Sequence, residues 1–326
     1  MHPHALLNAV AAQEPGHAAL AVVAEVSGSA PRHVGSMMLV MKDGTILGTI
    51  GGGKVEERAR QSALLCLETG KSDFIRVGMT GTDALGEVPI CGGAVGIAIL
   101  SVGATEKASC VRAAALLDRG ERVVLEIGPG ASSLRFPAED DGASALLCCP
   151  IEPAERFLIL GGGHVGLALA RQASELDFRV CVGDFRPEYA DPERFPAGVE
   201  TRCAAFADII ADYPFDASTY AVVVSPDHLS DLECVRAILK RDYRYAGFIG
   251  SRRKTAMILG QVASEGFDPA KVDALHAPIG ADIGAETPAE IAVSILAEVV
   301  AVRRNSPRLA EMDSQRAERR LPAGHA

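Results

Sequence analysis

Apolar positions recur along this chain in two rhythms. In the first half, residues 18–26 form an apolar run rich in β-branched side chains, and residues 36–40 and 45–50 flank the turn Lys42-Asp43-Gly44, the pattern of a strand followed by a hairpin. Val55, Ala59, Ala63 and Leu67 then repeat at helical spacing between charges, and the run closes on Gly70, which predicts an amphipathic helix over 54–70. Strands follow at 72–77, 94–102 and 122–127, with a helix over 105–118. The second half alternates regularly: strand 156–160, helix 165–176, strands 179–182 and 220–224, helix 231–240, strand 245–249, helix 253–265 and a last helix over 288–303. Strands separated by such helices imply a parallel sheet covered on both faces, because each crossover lays a helix on the sheet. The expected fold class is α/β, with a Rossmann-like doubly wound parallel sheet in the C-terminal half and a smaller N-terminal α/β domain.

Gly, Pro, Ser and acidic residues crowd the stretch 128–153, including Gly128-Pro129-Gly130 and Asp140-Asp141-Gly142. This composition suggests an N-terminal domain over 1–127, a linker over 128–153, a Rossmann-like domain over 154–304 and a flexible charged tail over 305–326.

Charge and composition narrow the partners. The 326 residues carry 42 acidic and 32 basic side chains, a formal charge of −10, which removes the general attraction to phosphate backbones and makes nucleic acid an unexpected partner. No stretch approaches the ~18 apolar residues of a membrane span; the best, 291–302, is broken by Ser294 and Glu298. The N-terminus lacks the Lys or Arg of a secretion signal and Glu14-Pro15 interrupts its apolar run, so a cytoplasmic location is expected. Eight Cys without a CxxC pair suit a reducing compartment.

Three glycine-bearing turns carry the candidate chemistry. Gly161-Gly162-Gly163-His164-Val165-Gly166 places G-x-G-x-x-G after a strand and at the mouth of a helix. There Gly161 permits a tight turn, Gly163 lets a phosphate approach the backbone, Gly166 lets helix and strand pack, and the helix end offers N–H groups to an anion. His164 either caps and packs at the helix entry or touches a ligand. Asp184 ends the next strand near the ~20-residue offset at which a carboxylate meets a ribose hydroxyl. Arg186, two residues on, either favours a 2′-phosphate or pairs with a carboxylate. These features permit an NAD(P)-dependent oxidoreductase, although no hydride-transfer acid is evident.

Gly51-Gly52-Gly53 ends a strand and opens a helix, a second anion geometry, with Glu56 placed to complement the helix dipole. Ser251-Arg252-Arg253-Lys254 follows a strand at its carboxyl end, where open α/β sheets bind ligands, and its three cations suit a pyrophosphate; the competing reading is a solvated basic helix start, disfavoured because cations there oppose the helix dipole. Cys91, before Gly92-Gly93, is the thiol best placed to serve as a soft ligand or sulfur acceptor; the competing reading is an ordinary buried small residue. Cys66, Cys110, Cys181, Cys203 and Cys234 fall in or beside predicted elements and read as structural, whereas Cys148-Cys149 fits either reading.

The separated blocks together resemble the XdhC/CoxI family of molybdenum-hydroxylase maturation factors. They are Leu160-Gly-Gly-Gly-His-Val-Gly166, Asp184-Phe-Arg-Pro-Glu-Tyr-Ala-Asp191, Arg194-Phe-Pro196, Phe248-Ile-Gly-Ser-Arg-Arg-Lys254 and Leu275-His-Ala-Pro-Ile-Gly-Ala-Asp-Ile-Gly-Ala285. Ser27-Gly-Ser-Ala-Pro-Arg32, Gly48-Thr-Ile-Gly-Gly-Gly53 with Glu56, and Cys91-Gly-Gly93 resemble its amino-terminal blocks. Two positions depart: Lys54 stands where many CoxI-like members carry Cys, and Ser225-Pro226-Asp227-His228 replaces the more usual Thr-His or Gly-His pattern.

The resemblance implies a cytoplasmic homodimeric chaperone, without turnover of its own. It would bind molybdenum cofactor (Mo-molybdopterin), allow a cysteine desulfurase to sulfurate it, and insert it into an apo molybdenum hydroxylase of xanthine, aldehyde or CO dehydrogenase type. The binding residues would be the glycine loops, Cys91 with a contact to molybdenum, and the Ser251 to Lys254 block. A catalytic sulfurtransferase using Cys91 is a third reading.

Overall fold

The computed structural model describes residues 1–28, 33–78, 93–136, 145–307, 311, 312 and 314. The chain divides into two compact units, Met1–Ala154 and Glu155–Ala326.

The first unit holds α1 (Pro3–Ala11), β1 (Ala18–Ser27), β2 (Met37–Met41), β3 (Ile46–Gly48), α2 (Gly53–Thr69), β4 (Asp73–Gly78), β5 (Ala94–Ser101), α3 (Ala104–Asp118), β6 (Val123–Ile127), β7 (Leu134–Arg135) and β8 (Leu147–Ile151). Its main sheet runs β3-β2-β1-β5-β4, antiparallel throughout. The apolar run of β1 follows from its central place, since both its faces are covered. Leu20 and Val22 pack with Leu6, Leu7 and Val10 of α1 and with Cys110 and Leu117 of α3. Ala19, Ala21 and Val23 face the other way, onto Val55, Ala59 and Ala63 of α2. The small alanines let α2 lie close to the sheet, a packing that larger side chains would prevent.

The stretch 128–153, expected as a linker, contributes β7 and β8, which flank β6 in a three-stranded antiparallel sheet. Leu134, Phe136, Leu147 and Ile151 join the first unit's core. Its Gly, Pro and acidic residues obscured these short strands because turn formers outnumber the few alternating apolar positions. The N-terminal segment, weighed in the sequence only as a secretion signal, is α1, with Leu6, Leu7 and Val10 buried.

The second unit contains β9 (Arg156–Leu160), α4 (His164–Glu175), β10 (Arg179–Asp184), α5 (Pro187–Ala190), β11 (Glu200–Cys203), α6 (Phe206–Asp212), β12 (Thr219–Val223), α7 (His228–Ile238), β13 (Tyr245–Phe248), α8 (Arg252–Ser264), α9 (Pro269–Asp273) and α10 (Pro288–Arg303). Its sheet runs β11-β10-β9-β12-β13 and is wholly parallel, the doubly wound Rossmann-like order. One face buries Leu158, Leu160, Ala221 and Phe248 with α6, α7 and α8; the other buries Phe157, Ile159 and Val222 with α4 and α10. Strand order reverses between β9 and β12, and the chain leaves both at their carboxyl ends, where this architecture opens to ligands. No described helix is long and apolar enough to cross a membrane.

Candidate functional site

The glycine loop after β9 is held by its neighbours on nearly every side. Gly161 adopts φ 118°, and a side chain there would collide with the carbonyl of Val224 beyond β12. A side chain at Gly162 would strike the carbonyl of Tyr189, and one at Gly166 the carbonyl of Gly161. Gly163 is the exception: a Cβ there would meet nothing within 4 Å. It is also the N-cap of α4, no side chain caps that helix, and His164 is exposed beside it. The helix start therefore carries no side-chain cap and has free space beside its N-cap glycine, a fit for a phosphate.

Asp184 sits at the end of β10 and is fully buried. Its Oδ2 accepts the N–H of Gly162 at 2.8 Å and Nη2 of Arg186 at 2.8 Å. Its Oδ1 accepts the N–H and Nε of Arg186 at 3.0 and 2.9 Å. Burial pushes this carboxyl up, but the Arg186 and Gly162 donors outweigh it and hold it below the ordinary carboxylate value. With both oxygens engaged and no exposed surface, Asp184 is not presented to a ribose hydroxyl. The NAD(P) reading loses its second support, and Arg186 pairs with a carboxylate, one of the two roles open from sequence. The loop's other side is held by Arg194, whose Nη1 donates to the carbonyls of Gly162 at 2.9 Å and Tyr189 at 3.0 Å. The guanidinium of Arg186 lies 3.8 Å from the Tyr189 ring centroid, closing the Asp184 segment over the loop.

A second network spans the carboxyl ends of β12 and β13. Ser225 Oγ donates to Asp231 Oδ1 at 2.5 Å, and Lys254 forms an ion pair with Asp231 Oδ2. Asp231 is fully buried, and burial keeps its carboxyl above the ordinary value despite Lys254 and Ser225. Lys254, expected with Arg252 and Arg253 as part of a cationic cluster, is thus tied inward. Ser251 caps α8, its Oγ accepting the N–H of Lys254 at 3.3 Å, while Arg252 and Arg253 remain exposed on the first turn. Asp227 is the cap of α7, accepting the N–H groups of Leu229 and Ser230 at 2.9 Å.

In the first unit, Gly51, Gly52 and Gly53 all have positive φ, as a turn from strand into helix α2 requires. Glu56 fills that turn. Its Oε1 accepts the N–H groups of Gly52 at 2.9 Å and Ile50 at 3.2 Å, together with the Thr49 hydroxyl. The expected anion cradle is therefore met by the chain's own carboxylate. Burial raises the Glu56 carboxyl, and the bonds from Thr49, Gly52 and Ile50 more than reverse this. Gly93 is buried immediately before β5, whereas Cys91 and Gly92 lie outside the described residues. Cys66, Cys110, Cys181 and Cys234 are buried, as a structural role requires, and burial pushes the Cys110 and Cys181 thiols up to about 12. Cys203 differs in being exposed, because β11 is an edge strand.

Sequence reasoning missed Arg194 as a brace and Asp231 as the partner of Lys254. Arg194 stood in a family block without an assigned role, and Asp231 looked like one more first-turn helix acid. Among the described residues, no group of three or more His, Cys, Asp or Glu side chains could hold a metal ion.

Fold and loop together define a two-domain α/β protein whose Rossmann-like half presents an uncapped helix N-terminus beside an open glycine. Its residues 157–299 match the XdhC Rossmann domain and residues 11–78 match the XdhC and CoxI family model. The chain belongs to the XdhC and CoxI family. It is 30% identical over 298 residues to Escherichia coli (strain K12) YqeB, covering 89% of this chain but only 44% of that protein's length. It is 26% identical to a protein of Bacillus subtilis (strain 168) named as a probable xanthine dehydrogenase subunit, over 92% of this chain and 97% of that one. The molybdenum cofactor insertion chaperone PaoD of Escherichia coli (strain K12) is 25% identical, over 88% of this chain and 83% of PaoD. A crystal structure described as a xanthine dehydrogenase from Bacillus halodurans shares the fold, with a TM-score of 0.80 at 24% identity over 95% of this chain and 99% of that one.

Proposed function

We propose that this protein is a maturation chaperone that binds molybdenum cofactor and inserts it into an apo molybdenum hydroxylase of the xanthine dehydrogenase type. Family membership of both halves supports the reading, as does similarity to a chaperone named for cofactor insertion. The observation that carries it to particular residues is the open space over Gly163 at the uncapped start of α4. The cofactor's phosphate would rest on the first-turn N–H groups of α4, with His164 beside it and Arg252 and Arg253 supplying positive charge. When bound, the group supplies the client hydroxylase with its reactive molybdenum centre; this chain's residues hold and shield it. Asp184, Arg186 and Arg194 act indirectly by fixing the loop.

The reading extends to Cys91 as the thiol meeting molybdenum or sulfur, to a cysteine desulfurase as sulfur donor, and to a homodimer as the working state. Titration of the purified chain with molybdenum cofactor, paired with hydroxylase activity in a deletion strain, tests the core of it. Saturable binding and loss of hydroxylase activity are expected; failure to bind, or undiminished activity, refutes it. Loss of desulfurase capture and of client activation in Cys91→Ala, with cofactor binding retained, would assign that thiol to transfer. Sedimentation measures the assembly.

A further inference from the structure

A separate pocket lies at the carboxyl end of β13. Residues after α9 run beside that strand: His276 bridges Gly247, Phe248 donates to the His276 carbonyl at 3.1 Å, and Ile279 donates to the Phe248 carbonyl at 3.1 Å. At Gly280, φ 92°, the chain turns over α10, and Ser294 leaves no room there for a side chain. The turn is fastened. Gly280 N–H donates to buried Glu298 at 3.0 Å, Ala281 N–H to the Ser294 carbonyl at 3.1 Å, and Ser294 Oγ back to the Ala281 carbonyl at 2.6 Å. This bracing leaves Asp282 exposed on a fixed support at the mouth of a cavity of about 260 Å³.

Ile249, Pro278, Ile279, Ile283 and Ile291 wall that cavity, and among the described residues Asp282 is its one ionisable lining group. Ile283 is 54% exposed, an apolar side chain left in water at the rim. Branched aliphatic walls suit the faces of a flat ring, whereas an ionised carboxylate only accepts hydrogen bonds and pairs best with two adjacent N–H donors. The volume falls below the roughly 300 Å³ at which sites for drug-sized ligands begin, so it suits one bicyclic ring and not a whole dinucleotide.

We propose that this pocket binds a 2-amino-4-oxopyrimidine-fused ring, the edge shared by pterins and guanine, with Asp282 accepting its amino and ring N–H groups. The pocket and the loop at Gly163 both lie at the carboxyl edge of the same sheet, in keeping with a ligand that has a ring at one end and a phosphate at the other. The assignment of a pterin over a guanine rests on the maturation-factor reading; the recognition chemistry does not.

The test titrates the full-length chain with pterin and with lumazine, which carries an oxo group in place of the 2-amino group, by fluorescence, and with GMP by calorimetry. Pterin, GMP or both should bind at least about tenfold more tightly than lumazine, since an ionic hydrogen bond is replaced by two facing acceptors. Asp282→Asn, at an exposed position, should melt like the parent and lose that preference. Preference for pterin alone names the pterin source, and preference for GMP alone names a guanine nucleotide. Equal binding of pterin and lumazine, no saturable binding of any probe, or a preference that survives in Asp282→Asn overturns the proposal. Cofactor transfer to a hydroxylase, measured on the same preparations, separates the two ideas. Normal transfer without ring preference sinks only this pocket, and ring preference without transfer sinks only the chaperone reading.

Discussion

The buried carboxylate of Asp184 accepts the backbone N–H of Gly162 at 2.8 Å, so the acid at the end of β10 is a structural support for the loop at the end of β9. Arg186 locks the same carboxylate from the outside with its own side chain a quarter exposed. Asp184→Asn should therefore cost about 3 kcal/mol, the lower end for breaking a buried pair, because Arg186 can turn toward water. Urea unfolding measures the loss. Cofactor affinity should fall along with stability, since the variant loosens the loop carrying Gly163.

The same group makes stability depend on pH in a defined direction. Its folded carboxyl titrates below the unfolded value of 3.8, so its contribution is complete above that pH and disappears as pH falls through the folded value. The stability gap between the parent and Asp184→Asn should be constant near neutrality and should narrow in urea titrations carried below pH 3.8. A gap that widens there would contradict the assignment.

Neighbouring glycines should separate folding from binding. Gly162→Ala drives a methyl into the Tyr189 carbonyl and should destabilise by about 3 kcal/mol or more. Gly163→Ser meets open space and supplies the cap that α4 lacks, so stability should hold or rise by about a few tenths of a kcal/mol. The new hydroxyl would compete for the N–H groups that a phosphate needs, and cofactor affinity should drop by about tenfold or more. Thermal melts paired with cofactor titration give both readouts.

Lys254 and Asp231 should behave as a coupled pair. Lys254→Met leaves a fully buried carboxylate with only Ser225 and should cost about 3 kcal/mol. Adding Asp231→Leu removes the stranded charge, so the double variant should be more stable than the sum of the singles by about 1 kcal/mol or more. A double-mutant cycle in urea measures the coupling, and additivity would show that the pair is energetically idle.

Glu56→Ala should free the N–H groups of Ile50 and Gly52 that its carboxylate now holds. The expected cost is about 1–2 kcal/mol, a charge-assisted contact at a helix N-terminus that is only half-buried. Amide exchange at Ile50 and Gly52 should accelerate ahead of that in β1. Unchanged exchange would mean that the three positive-φ glycines hold the turn unaided.

Local patterns made most elements readable. The hairpin around Asp43, the run of β1 and the alternation from β9 to α10 each carry their periodicity within a few residues, and the structure places strands and helices there. The short β8 and the edge strand β11 were not readable. Glu200-Thr-Arg-Cys203 is polar because one side of an edge strand meets water, and it joins the sheet by pairing with β10, a partner that no local periodicity announces.

The fold class and the glycine loop with its strand and helix were set locally, because backbone conformation and amphipathic periodicity are properties of neighbouring residues; the family was legible only from the resemblance of separated residue blocks. Tertiary structure alone decided how those residues are used. Asp184 and Gly162 are brought together across adjacent parallel strands, as are Asp231 and Lys254 across adjacent helices, and only that packing shows which charges are already paired. It left Gly163 open while its neighbours are filled, and it set Asp282 at a cavity whose walls, from Ile249 to Ile291, come from residues far apart in the chain.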